Sequence, residues 1–435
     1  MNKLHRSAVL LAAASVTALA LTSCSPGSSD TGTGDAATGD PASPVEITFQ
    51  SFSDQPAAIA ATKEIVDAFN ADNPGITVKI VQAPTDSLDD KLTTQFVGGV
   101  APDIIHYEVL GIVPFAKDGY LADLSDLLSK DTISDIDPGV LDSVTVDDQV
   151  IGAPTELQTY VVFANKKLLE AAGVTVPTGD SMTWDELAEI AKATTAGDVH
   201  GITWGMKSPT AAFMSLGMGF GSTYFTGKGD DMKVDVSDAD LEVPNRVKAM
   251  IDAGSVDPIG VTQSGSEVLA TFYAGKAAMT VQGSYQIANI AADAPADMDW
   301  VVLPPLAGSE GAVQAANPQT LSINIDSEHQ EEAAKFIDFF MSTDNLVKMN
   351  IADGLIPTTK SARAALEEQT KEQNGWPAIM TSAEGLAGPV FLQANGFVRW
   401  KDTVATPGFQ KFLGGEIDDA QLKSELDTGW AQVNG

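Results

Sequence analysis

Three short clusters hold side chains suited to gripping a small polar molecule. Phe52 stands with Ser53 and Asp54 where an alternating run, Val45, Ile47 and Phe49 against Glu46, Thr48 and Gln50, comes to its end. It falls on the Gln50 side, out of phase with the apolar positions, so its ring either meets a ligand or covers a helix N-terminus. His106, Tyr107 and Glu108 follow Asp103-Ile104-Ile105 in the same manner, three polar groups together at a strand's carboxyl end. A single histidine is usually structural, but this grouping points toward a cleft. Trp204, in Gly201-Ile202-Thr203-Trp204-Gly205, suits either a cleft aromatic or an ordinary core position. The chemistry on offer is recognition. Aromatic faces pack on the C–H face of a pyranose, while amides and carboxylates bond its hydroxyls. Strand ends matter because open α/β sheets bind ligands beyond the carboxyl ends of their strands.

Catalytic constellations are missing. The sequence contains no Gly-x-Ser-x-Gly elbow, no His-Glu-x-x-His and no Gly-x-x-x-x-Gly-Lys-Ser/Thr phosphate loop. Acid pairs such as Asp89-Asp90 and Glu331-Glu332 carry no information in a chain with 59 Asp and Glu. A secreted glycoside hydrolase, which also needs aromatics and two carboxylates, stays open as the competing class. No cofactor is expected and no metal, since one cysteine rules out a Cys-rich site or a disulfide framework. The net charge of −34 disfavours nucleic acid and anionic membrane surfaces, which both call for positive patches. Only Arg6, Arg246, Arg363 and Arg399 are available to pair a ligand carboxylate in bidentate fashion, so amino acids and peptides are poor candidates.

The N-terminus speaks of compartment. Lys3, His5 and Arg6 precede an apolar run from Ala8 to Leu21, the layout of a secretory signal. That run is shorter than the ~20 apolar residues a lasting transmembrane helix needs. Leu21-Thr22-Ser23-Cys24 then resembles the bacterial lipobox, which implies cleavage before Cys24 and lipidation of its sulfur. Acyl chains anchor stably when more than one is attached. Loss of residues 1–23 removes Lys3 and Arg6 and no acid, so the remaining chain is two charges more negative. Residues 24–44 lack any aromatic or large aliphatic side chain and read as a flexible tether.

Hydrophobic content of 44% and charged content of 19% belong to a folded protein, and 435 residues exceed one ordinary core. Val45–Phe49 is a strand; Ala58, Ala61, Ile65, Val66 and Phe69 share one helical face. Asn73-Pro74-Gly75 turns into a second strand at Ile76, Val78 and Ile80, and a helix over Leu88–Val97 leads to a third at Ile104. This alternation predicts right-handed crossovers and a largely parallel sheet covered by helices. Thr183-Trp184-Asp185-Glu186 is a capping box, and Ser327 with Gln330 is expected to form another before Ala334, Phe336, Ile337 and Phe340. Trp184 is assigned to structure on that account. Val268, Leu269 and Phe272 lie on a helix ending near Gly275, and Ala277–Val281 form a strand closed by Gln282-Gly283-Ser284.

In this order the pieces resemble the extracellular solute-binding proteins of ABC importers, in their carbohydrate-binding branch. The motifs are Phe69-Asn70 with Pro74; Phe96-Val97-Gly98-Gly99 with Pro102-Asp103-Ile104; Gly119-Tyr120-Leu121 with Asp123-Leu124; and Gly152-Ala153-Pro154 with Asn165-Lys166. Phe272-Tyr273-Ala274-Gly275-Lys276-Ala277-Ala278-Met279, Gly283-Ser284-Tyr285 and Gly354-Leu355-Ile356-Pro357 follow, and the likeness spans about residues 47–426. It implies an α/β fold of the type II periplasmic-binding-protein kind, with two α/β domains, a hinge and a ligand cleft between them. By similarity one domain covers 45–156 plus 319–372 and the other 158–317 plus 374–435. The resemblance also puts Gln158 where polar side chains meet sugar hydroxyls; Glu156, two residues away on the same strand face, is its rival. Tyr285 takes the stacking position after Gly283, and Trp400, with Phe397 and Arg399, matches a late aromatic of the cleft. A neutral mono- or oligosaccharide is the implied ligand, with an acidic sugar paired to Arg399 as a lesser alternative. The implied partners are permease subunits in the membrane with a separate ATPase, and the chain is expected to be a monomer.

Overall fold

A computed structural model describes residues 44–53, 55–83, 88–227 and 231–434. Cys24, the tether up to residue 43 and Asp54 lie outside the described residues. Two sheets carry the architecture. The first is built from β1 (Val45–Ser51), β2 (Ile76–Gln82), β3 (Ile104–Glu108), β4 (Ala153–Leu157), β9 (Gln319–Ile323) and β10 (Ile356–Pro357). The second is built from β5 (Tyr160–Asn165), β6 (His200–Trp204), β7 (Ala277–Gly283) and β8 (Trp300–Val302). Their strand orders are β10-β4-β9-β3-β1-β2 and β8-β5-β7-β6.

The N-terminal alternation folds as its pattern demands. Ile47 and Phe49 on β1 are buried, and α1 (Pro56–Asp72) opens with Pro56, where a missing N–H costs nothing, and turns Ala58, Ile65 and Phe69 inward. After β2, α2 (Leu88–Val97) buries Leu88, Leu92 and Phe96 on the way to β3. β1 pairs parallel with both β2 and β3. The largely parallel sheet ends there: β9 runs antiparallel to β3 and β4, and β10 antiparallel to β4. Parallel pairing follows from a crossover helix between neighbouring strands. The chain enters β9 directly from the other sheet, so nothing imposes that direction. The second sheet is mixed as well, with β7 parallel to β6 but antiparallel to β5.

Helix α3 (Val109–Lys117) follows β3, and α4 (Trp184–Thr194) precedes β6. At α4 the capping box is present, Thr183 Oγ1 accepting from Glu186 N–H (3.1 Å) and Glu186 Oε2 from Thr183 N–H (2.7 Å). Helix α5 (Thr210–Gly217) lies under the second sheet, α6 (Gly265–Tyr273) leads into β7 and α7 (Gln286–Asp293) leaves it. At α8 (Gln330–Phe340) the expected box is absent. His329 occupies the cap position, while Ser327 Oγ donates to Asp103 Oδ1 (2.6 Å) and accepts from His329 N–H. Asp103, which also binds the Thr48 backbone and hydroxyl, has taken the serine for a tertiary contact. Helix α9 (Thr343–Asp353) ends just before β10. Among the described residues no helix is long and apolar enough to cross a membrane.

The chain passes from the first sheet to the second over Gln158 and Thr159 alone, and returns between β8 and β9. The two passages are tied together. On the returning segment Gln314 accepts the Tyr160 N–H with Oε1 (2.7 Å) and donates Nε2 to the Tyr160 carbonyl (3.0 Å). Thr159 is bonded at its N–H and carbonyl to Ser284 and at its hydroxyl to Ser382.

Candidate functional site

The carboxyl ends of β1, β3 and β4 and the start of β9 come together, because Gln319 pairs with both Glu108 and Glu156. Beyond them lies a cavity of about 400 Å³. Phe52 and Ser53 extend from β1 into its wall, Glu108 from β3, and Glu156 and Gln158 from the end of β4. Asn317 precedes β9 and Gln319 begins it, while Asp353 ends α9 and Leu355 follows it. From the second sheet come Tyr285 and Asn289, at the start and middle of α7, and Ser266 of α6. A smaller cavity of about 170 Å³ shares Glu108, Gln158 and Asn317, and adds Leu110, Tyr160, Met214, Phe391, Phe397 and Lys401.

Of the residues singled out in the sequence, Phe52, Ser53, Glu108, Glu156, Gln158 and Tyr285 line the larger cavity and Phe397 the smaller. Glu156 and Gln158 both do so, which removes the need to choose between them. Gly283 makes the arrangement possible from behind. A Cβ there would sit 2.5 Å from the Tyr285 ring and 2.9 Å from Gln158 Oε1, so any side chain would drive the two apart.

The remaining candidates lie elsewhere. Trp204 packs edge-on to Phe213 (5.8 Å between centroids) and is core. Trp400 is wholly buried; its Nε1–H donates to the Leu426 carbonyl (3.1 Å) and its ring meets Phe225 and Trp430. Arg399 lines neither cavity and reaches the Val433 carbonyl instead. Tyr107 points to the opposite face of β3 from His106 and Glu108, against Gly111, with its hydroxyl on Asp89. His106 is buried behind Phe52, the rings meeting edge to face at 4.7 Å. Asn317, Gln319, Asp353 and Asn289 were not singled out from sequence. Asp353 adjoins the quoted Gly354-Leu355-Ile356-Pro357 motif and Asn317 precedes Pro318, the one local sign either carried.

Buried acids dominate the electrostatics. Glu156 has no exposed surface, neither carboxylate oxygen has a hydrogen-bond partner among the described residues, and burial followed by the charge of Asp353 pushes its pKa well up. Glu108 is also raised by burial, opposed by Asn317 Nδ2, which donates to it at 3.3 Å, and by Lys401. His106 Nε2 lies 3.9 Å from Glu156 Oε2, yet burial holds the imidazole pKa down to about 4. The pair is therefore not an ion pair at neutral pH. Ser53 Oγ and Asn317 Oδ1 are further buried polar atoms without partners. Buried polar groups are normally satisfied, so several unpartnered oxygens on one wall set it apart from ordinary core. Among the described residues no cluster of His, Cys, Asp and Glu is placed to hold a metal ion.

Comparison with known proteins agrees with this picture. Residues 53–346 match the model of the bacterial extracellular solute-binding protein family. An uncharacterized lipoprotein in the oleD 5′ region of Streptomyces antibioticus is 34% identical over 384 residues, covering 87% of this chain and 85% of its own. The multiple sugar-binding protein of Streptococcus mutans is 22% identical over 330 residues, 73% of this chain and 76% of its own. Among solved structures, the sugar-binding protein MalE of Xanthomonas citri superposes with a TM-score of 0.78 at 20% identity, over 90% of this chain and 97% of that one. The fold is that of a type II periplasmic binding protein.

Proposed function

Since this chain belongs to the bacterial extracellular solute-binding protein family, we propose that the larger cavity is a carbohydrate site and that the protein is the receptor of an ABC importer. The observation that carries the reading is the company kept by Tyr285. One aromatic ring from the second sheet faces a wall of amides and carboxylates from the first, across a single cavity. Rings of this kind offer large contact area at little conformational cost, and the polar wall supplies hydroxyl partners. The relatives named for sugars support the same class. A member of an extracellular family works outside the cytoplasm, and we infer that Cys24 carries the lipid that holds it at the outer face of the cell membrane.

The working cycle is closure of two domains, 45–156 plus 319–372 and 158–317 plus 374–435, about the passages at Gln158–Thr159, before β9 and near residue 373. Contacts to one ligand from both sides favour the closed form, and the loaded, monomeric receptor then delivers the sugar to permease subunits powered by a separate ATPase. Titration calorimetry across a carbohydrate panel tests the reading directly: saturable binding supports it. Chromogenic glycosides test the enzyme alternative, and turnover would overturn the receptor assignment.

A further inference from the structure

We propose that the smaller cavity is a subsite for an apolar aglycone, the ligand being a glycoside whose sugar fills the larger cavity and whose aryl or alkyl substituent fills the smaller. The proposal deepens the carbohydrate reading and rests on it. Glu108, Gln158 and Asn317 belong to both walls, so the two spaces meet along one edge and a single ligand can reach from one into the other. Past those residues the lining changes character. Leu110, Met214, Ala315, Phe391 and Phe397 make most of it, with Ala211 at an exposed margin. Phe391 and Phe397 are stacked, their centroids 4.8 Å apart and their planes 21° from parallel, and are 8% and 3% exposed. The volume of about 170 Å³ suits one ring. An apolar cavity of about 150 Å³ is enough to take benzene.

The two walls differ in how their polar atoms are engaged. The larger cavity carries buried oxygens with no hydrogen-bond partner among the described residues, Ser53 Oγ and both carboxylate oxygens of Glu156. Asn317 Oδ1, on the shared edge, is another. No residue that lines the smaller cavity alone contributes such an atom. Ser215 Oγ accepts the Ala315 N–H (3.1 Å), and Lys401 Nζ pairs with Asp402 (3.1 Å). Tyr160 has its backbone N–H and carbonyl bonded to Gln314. A sugar unit in the larger cavity therefore meets groups able to donate to and accept from its hydroxyls. A second sugar unit in the smaller one would carry several hydroxyls against Leu110, Met214 and the two phenylalanines, and each hydroxyl desolvated there without a partner weakens binding. An aryl or branched alkyl group asks for no partner and gains from the burial of its own surface.

The test is titration calorimetry on the mature protein with matched series: the methyl and phenyl α- and β-glucosides and α- and β-galactosides, each set beside the disaccharide of the same sugar and anomer (maltose, cellobiose, melibiose and lactose). In at least one series the phenyl glycoside should bind about tenfold or more tighter than both the methyl glycoside and the disaccharide, a gap of ~1.4 kcal/mol or more. Its heat-capacity change on binding should also be the more negative, as burial of apolar surface requires. Ala211→Phe sets a ring at the exposed margin of the smaller cavity, and Leu110→Asn puts an amide in its apolar lining. Each should cut the phenyl-to-methyl affinity ratio severalfold. Methyl and phenyl glycosides binding alike, disaccharides binding tightest, or a ratio unchanged in both variants would overturn the proposal and leave the carbohydrate reading standing. Binding of no member of any series would overturn both.

Discussion

The rim of the cavity at Tyr285 and the packed knot at Trp400 use the same kind of side chain to opposite ends. Tyr285 caps the start of α7, half-buried, and lines a cavity together with polar groups from the other sheet. Trp400 has no exposed surface and spends its one donor on the Leu426 carbonyl, with Phe225, Phe397 and Trp430 around it. The ring at the rim is half-buried and borders a cavity; the ring in the knot is enclosed on all sides. A ring available for a ligand costs the folded protein little when removed, whereas a ring that fills a core costs a cavity.

Truncations on the two sides should therefore separate cleanly. Trp400→Ala should lower unfolding free energy by ~3–5 kcal/mol, the range for a fully buried large aromatic. Chemical denaturation would read it, and a loss under 1 kcal/mol would mean that the knot is looser than its burial says. Tyr285→Ala should weaken sugar binding by ~1–3 kcal/mol, about 5- to 150-fold in Kd, with little loss of stability. Tyr285→Phe should keep most of the affinity. A destabilised Tyr285→Ala protein with unchanged affinity would erase the contrast.

A finer test bears on pH. Glu156 keeps its proton more firmly in the folded state than in the unfolded chain. Its contribution to stability is therefore present below the ordinary carboxyl value of ~4.3 and lost as pH rises through the raised pKa. Melting curves of Glu156→Gln and wild type should diverge in the variant's favour as pH climbs through that window, then run parallel. His106, with a pKa near 4, works in the other direction, adding stability as pH rises from about 4 toward its unfolded value of ~6.5 in both proteins. A difference independent of pH would show that Glu156 is not held as an acid. The smallest effect belongs to the tether: a chain starting at Pro44 should melt with the mature protein, and a drop of several degrees would show residues 24–43 packed somewhere.

Legibility followed the range of the interactions. The elements from β1 to β3 were readable because periodicity is local, and so was the Thr183 box, which closes within four residues. The Ser327 box failed because Asp103, remote in sequence, competes for that hydroxyl. The direction of β9 was hidden for a like reason, since it depends on where the chain arrives from. Phe52 and Glu108 could be found from strand ends, Gln158 and Tyr285 from motif position, and Glu156 as the residue sharing the strand face of Gln158. Trp400, read from a looser motif match than Tyr285, fell in the core, because what surrounds a ring in space, here Phe225 and Trp430, leaves no trace beside it in sequence. Asp353 and Asn317 reach the cavity from segments that no periodicity marks.

The paired hydrogen bonds between Gln314 and Tyr160 constrain the two passages on which the proposed closure would turn. They staple the outgoing passage to the returning one, so neither strand can swing without dragging the other. Thr159 is immobilised from three directions, by Ser284 at its N–H and carbonyl and by Ser382 at its hydroxyl. Its neighbour on the outgoing passage is Gln158, whose side chain forms part of both cavity walls. If the two proposed domains turn about this passage, the residue lining both cavities sits on the turning point itself.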